Sequence, residues 1–128
     1  MKRAHIAIWV TDLEVMKHFY ETYFEAKAGE IYHNPTKKFT SYFLGFTTGS
    51  HLELMHRPDI KDFRKGAQEF MGLTHFAISV GTKTKVDLLT ERLRKDRYTI
   101  VGEPRTTGDG YYESVVLDPE QNRIEITV

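Results

Sequence analysis

HIAIWV at residues 5–10 returns as HFAISV at residues 75–80, each copy opening on a histidine and alternating aliphatic with other side chains. An internal repeat constrains the architecture more than any single element does. Followed to the next glutamate flanked by aliphatic residues, the first copy reaches LEL around Glu53 and the second IEI around Glu125. The intervals are 53 − 5 = 48 and 125 − 75 = 50 residues. Between these anchors each copy runs in the same order: a strand, an amphipathic helix, then strand material broken by turn residues. The chain therefore reads as an α+β protein of two βαβββ modules in a single domain over residues 1–128, with module one at 1–57, a connector at 58–72 and module two at 73–128.

The segment Thr11-Asp12-Leu13-Glu14 has the form of a capping box, which predicts a helix with Thr11 as N-cap and Glu14 reaching back to it. Leu13, Met16, Tyr20 and Tyr23 follow at helical spacing with Phe19 and Phe24 beside them, an apolar face read as core. A second helix is expected over residues 83–95, where Val86, Leu89 and Leu93 oppose a charged face. FTSYFLGF (39–46) and HLELM (51–55) read as strands joined by Thr47-Thr48-Gly49-Ser50. YYESVVL (111–117) and RIEITV (123–128) read as two more, joined by Asp118-Pro119-Glu120-Gln121-Asn122. In the connector, Phe63, Phe70 and Met71 are expected to pack that segment down, with lining a pocket as the alternative.

Composition narrows the functions. Eighteen Lys and Arg balance 18 Asp and Glu, so the chain lacks the field that draws nucleic acid or an acidic membrane surface. With no cysteine, thiol nucleophiles and thiolate metal sites are excluded and any metal site must use nitrogen and oxygen. The apolar run after Met1-Lys2-Arg3 is too short for a signal segment or a membrane span, so a cytoplasmic location is expected.

Side chains alternate across a strand, so each candidate ligand can be assigned a face. Ile6, Ile8 and Val10 share one face of the first strand and His5, Ala7 and Trp9 the other. Phe76, Ile78 and Val80 likewise oppose His75, Ala77 and Ser79. Leu52 and Leu54 oppose Glu53, and Ile124, Ile126 and Val128 oppose Glu125. All four polar residues thus leave the face that packs on the helix. Two His and two Glu in duplicate positions of a repeat have no reason to arise as separate surface residues. Together they match a divalent cation: two neutral imidazoles and two carboxylates cancel its charge and leave coordination positions for water or substrate. His18, His33, His51 and His56 are read as surface residues, although His51 shares the face of Glu53. RTTGDGYYES (105–114) is glycine-rich but has neither the strand-loop-helix context nor the lysine of a phosphate loop. It reads as a hairpin turn from which Arg105, Thr107 or Tyr111 can overhang the site.

With His5, Glu53, His75 and Glu125 in place, the sequence resembles the vicinal oxygen chelate superfamily, and within it the lactoylglutathione lyase (glyoxalase) group. HIAIWVTDLEVMKHFY, LELM, THFAISV and LDPEQNRIEI carry the resemblance over almost the whole chain. It implies eight strands in an open cup around one divalent metal ion (Zn, Ni, Co, Mn or Fe), often in a homodimer, with a small-molecule substrate. It also implies a mechanism: a substrate with two neighbouring oxygens chelates the metal, a glutamate takes the proton beside the carbonyl, and the metal holds the enediolate. Glu125 is the expected base and Glu53 its partner on the opposite side. Glutathione-using lyases commonly carry Arg four residues after the first ligand and Asn four after the first glutamate. Here Trp9 and Arg57 stand there, which points to a flatter or more apolar substrate with an anion still accommodated by Arg57. Within the same superfamily, dioxygenases and antibiotic-resistance thiol transferases use two His and one Glu. Drug-sequestering resistance proteins bind without metal. The second carboxylate at Glu53 and the retention of all four ligands set this chain apart from those alternatives.

Overall fold

The computed structural model describes residues 1–61, 69 and 71–128 and divides into two compact units, Met1–Phe63 and Arg64–Val128. The first contains β1 (His5–Trp9), α1 (Leu13–Phe24), β2 (Lys27–Ala28), β3 (Tyr32–Asn34), β4 (Phe39–Gly45) and β5 (His51–His56). The second contains β6 (Phe76–Ser79), α2 (Lys83–Lys95), β7 (Ile100–Thr106), β8 (Tyr112–Leu117) and β9 (Arg123–Thr127). No helix among the described residues is long and apolar enough to cross a membrane. Phe63 and Phe70, expected to pack the connector, lie outside the described residues, and Met71 is exposed.

Each unit forms its own sheet on one plan. In the first, β1 pairs in parallel with β5, β5 antiparallel with β4, and both β2 and β3 antiparallel with β4. In the second, β6 pairs in parallel with β9, and β9, β8 and β7 follow antiparallel. The second unit is a plain βαβββ module, whereas the first has its second strand in two short pieces separated at residues 29–31. In the second unit the same edge stays one strand because register shifts on either side of Gly102 absorb the irregularity. A Cβ at Gly102 would meet the Cβ of Val115 at 3.4 Å. Pro104 is tolerated because β7 stands at the end of the sheet, where a missing N–H leaves no ladder partner unsatisfied.

Each sheet buries one face under its helix. In the first unit Met16, Phe19, Tyr20 and Phe24 of α1 are buried, together with Leu44, Leu52 and Leu54 of the strands beneath. Tyr23 is half-exposed. In the second, Val86, Thr90 and Leu93 are buried with Val116, Ile124 and Ile126. Leu89, expected in that stripe, is half-exposed, and Thr90 takes the central place. Its hydroxyl donates to the Val86 carbonyl at 2.7 Å and lies 2.7 Å from the Ser114 hydroxyl, so neither buried oxygen is left without a partner. The start of α1 differs from the capping-box expectation: Asp12, not Thr11, is the N-cap, its carboxylate accepting from the Glu14 and Val15 amides. Glu14 turns instead to the Tyr42 hydroxyl, which donates to it at 2.6 Å, and to the Lys17 ammonium at 3.0 Å.

Candidate metal and substrate site

The parity reading holds on all four strands except at Val128, expected on the packed face and found exposed beyond the end of β9. His5 in β1 and His75 just before β6 are exposed while the aliphatic residues that follow turn inward; in β5 and β9 Leu52, Leu54, Ile124 and Ile126 are buried and the glutamates sit half-exposed between them. Register then fixes the pairs. Ala7 lies opposite Glu53, so His5 is diagonal to that glutamate across the parallel strands, and its Nε2 is 3.7 Å from the Glu53 carboxylate. Ala77 lies opposite Glu125, and His75 Nε2 is 3.1 Å from the Glu125 carboxylate in the matching diagonal. One structural motif is thus built twice, once in each unit.

The separation of 3.1 Å between His75 and Glu125 fits shared coordination, and that of 3.7 Å between His5 and Glu53 is wider than a bound ion requires. Two donors about 2.1 Å from one ion, at right or tetrahedral angles, stand about 3.0–3.4 Å apart. The donor chemistry, imidazole nitrogen with carboxylate oxygen, suits a first-row divalent metal. Among the described residues, His, Asp and Glu side chains meet in such pairs and not in a group of three or more that could hold a metal.

The surroundings of the two pairs differ. In the first unit, Phe43 lies opposite Glu53 and packs edge-on against His5 with ring centroids 5.4 Å apart. His51 is opposite His5 in register and faces Phe43 from the other side. Trp9 projects from the same face, its ring 6.1 Å from that of Phe39 and under the Arg57 guanidinium at 5.4 Å. In the second unit, Glu113 lies diagonal to Glu125, and Arg105 stands opposite Glu113. Burial, reinforced by the charge and the hydrogen bond of Glu125, pushes the Glu113 carboxyl above its ordinary range, while Arg105 acts in the other sense. Tyr111 and Thr107 sit in the hairpin turn between β7 and β8, where the Thr107 amide donates to the Tyr111 carbonyl at 2.7 Å. Tyr111 is 59% exposed. His18, His33 and His56 are engaged elsewhere, with Thr22, Thr40 and the Val10 carbonyl. Glu113, Phe39 and Phe43 were not singled out by the sequence. Alternation in FTSYFLGF and YESVVL places them opposite the buried Tyr42, Ser114 and Val116, but only strand register shows that Phe43 and Glu113 reach the two glutamates and that Phe39 meets Trp9 and Tyr32.

A duplicated βαβββ module with a His–Glu diagonal on each open face defines a class of protein, and comparison agrees. The profile of the Glyoxalase/Bleomycin resistance protein/Dioxygenase superfamily matches residues 2–126, and the chain belongs to that superfamily. It is 24% identical over 125 residues to an uncharacterized protein, YqjT, of Bacillus subtilis (strain 168), covering 95% of this chain and 94% of that one. Among solved structures it is similar to glyoxalase I from Zea mays, with a TM-score of 0.79 and 26% identity, covering 99% of this chain. The chain spans only 44% of the maize chain. It is likewise similar to the trypanothione-dependent glyoxalase I of Leishmania major, with a TM-score of 0.79 and 25% identity over 99% of this chain and 86% of that one.

Proposed function

We propose that the chain is a metal-dependent lyase or isomerase of the glyoxalase type, acting through an enediolate on a small substrate with two adjacent oxygens. The observation that carries this reading is the repeated diagonal of imidazole and carboxylate, His5 with Glu53 and His75 with Glu125. Both pairs together are the ligands of one divalent ion, drawn from one chain or from two. Such an ion supplies Lewis acidity, making the C–H beside a bound carbonyl acidic and offsetting the charge that develops on oxygen. The chain's own part is the proton. Glu125 takes it from carbon, and Glu53 stands ready to return or remove one on the other side. Arg105 and Tyr111, at the hairpin end of β7 and β8, border the substrate on the Glu125 side.

Glu125→Gln tests the assignment, because glutamine keeps a side-chain oxygen for the metal but accepts no proton at neutral pH. Turnover of a panel of 2-oxo aldehydes, each with several thiols, is expected to fall by roughly 10²- to 10⁴-fold with the fold and most of the metal retained. Near-native turnover in the metal-loaded variant would remove Glu125 as the base and bring a three-ligand oxygenase or a plain binder forward.

A further inference from the structure

Because the two modules share one scaffold, each row of residues across the first sheet has a counterpart in the second. The rows bearing the glutamates are alike: Ala7, Glu53 and Phe43 in one, Ala77, Glu125 and Val115 in the other. The next outward-facing row is not. In the second module it reads Ser79, Thr127, Glu113 and Arg105, polar throughout. In the first it reads Trp9, Met55, Ser41 and Tyr32 across β1, β5, β4 and β3.

That row has the shape of a slot. Trp9 and Tyr32 stand at its ends, 41% and 55% exposed, on strands about 14 Å apart at three strand spacings. Between them are a flexible Met55 and a small, buried Ser41. Phe39 lines one side between them, its ring 6.1 Å from Trp9 and 6.0 Å from Tyr32. Exposed aromatic edges and faces in this arrangement accept a flat ring by offset or edge-on packing. A cation is built onto the slot as well: the Arg57 guanidinium lies 5.4 Å from the centre of the Trp9 ring, and Asp59 fixes its Nε side. The Nη edge of that planar fork matches a carboxylate.

We infer that this row is the specificity site of module one and that the substrate is a planar, aromatic molecule with two adjacent oxygens at one end and an anionic group at the other. The inference rests on His5 and Glu53 being metal ligands, since it places the oxygens at Glu53 and the ring one row away. Two residues of strand rise, about 7 Å, separate the Glu53 row from the Trp9 row. A single substituted phenyl ring spans that distance. A polar side chain in place of Trp9, as in module two, gives such a ring nothing to pack on.

Three hydroxamates, each with two vicinal oxygens, separate the contributions in the zinc-loaded protein by calorimetry: acetohydroxamate, benzohydroxamate and 4-carboxybenzohydroxamate. The expected order is a gain of about ten-fold for the phenyl ring and a further three- to ten-fold for the carboxylate. Trp9→Ser abolishes the first gain and leaves acetohydroxamate unchanged; Arg57→Gln abolishes only the second, which also weakens with salt. Trp9 is the single tryptophan, so benzohydroxamate and not acetohydroxamate should perturb its emission. Equal affinity for phenyl and methyl, or a preference that survives Trp9→Ser in a protein with unaltered circular dichroism, overturns the inference. A second arm is independent of metal: in chelator-treated protein, benzoate should quench Trp9 where acetate does not, and Arg57→Gln should remove the effect. Hydroxamates that fail to bind while benzoate behaves as described would refute the metal reading and leave the aromatic site standing; failure of both overturns both.

Discussion

At the scale of the residue, the proposed chemistry rests on carboxylates whose neighbours differ. Glu53 is set among Phe43, His5 and His51, while Glu125 has Glu113 diagonal to it and Arg105 one strand further on. A glutamate with polar groups in the adjoining row has routes for passing a proton onward, and one among aromatic rings has few. Glu53→Gln is therefore expected to cost less turnover than Glu125→Gln, measured on the same substrate at equal metal loading. Comparable losses would mean that both carboxylates move the proton on opposite faces of the enediolate. The shared face of the four candidate ligands was legible in the sequence because period-2 alternation assigns a face to each residue. Glu113 was not, because a face does not give a neighbour: its approach to Glu125 depends on how β8 slides against β9. The aromatic row was half legible. Trp9 and Arg57 stood out by position, but Tyr32 and Phe39 join them only through the pairing of β3 with β4.

At the scale of the element, helix starts decide small but measurable amounts of stability. Asp12 accepts two amide hydrogens at the start of α1 and Thr82 one at the start of α2. Asp12→Ala should cost about 1 kcal/mol, and Thr11→Ala no more than about 0.5 kcal/mol, both read from urea midpoints. The sequence put the cap one residue early because Thr11 and Glu14 have box spacing; Tyr42, far along the chain, draws Glu14 away. That contact carries a pH signature. The Tyr42 hydroxyl, with Lys17 beside it, holds the Glu14 carboxyl below its ordinary value of 4.5. A carboxyl depressed in the folded state stabilises it above that value and loses the effect as pH falls through the lowered one. Tyr42→Phe should therefore weaken the loss of stability on acidification below pH 4.5, seen as a shallower fall of the urea midpoint. An unchanged acid limb would show that the bond is not maintained in solution. Both helices and the four ligand-bearing strands could be read from the sequence, since long periodic runs state their own conformation. The short β2 and β3 and the bulged β7 could not: two- and three-residue strands have no period, and Pro104 and Gly102 in β7 argue locally against a strand.

At the scale of the molecule, each candidate ligand histidine lies on or beside a strand at the end of its sheet, His5 in β1 and His75 next to β6. Strand ends exposed in this way favour pairing with another copy, and a homodimer is expected. Light scattering at micromolar concentration checks it, a monomer being the contrary result. The duplicated His–Glu diagonal makes a stronger demand than assembly does. Each pair alone offers two donors, too few for tight binding of a first-row metal at neutral pH; both pairs together offer four. The direct measurement is titration of chelator-treated protein with zinc and manganese, for the native chain and for His5→Ala and His75→Ala. The account requires about one ion per chain and a loss of at least ten-fold in affinity for each variant, whichever module carries the change. Binding left unaltered by either substitution would mean that the two pairs do not share a metal.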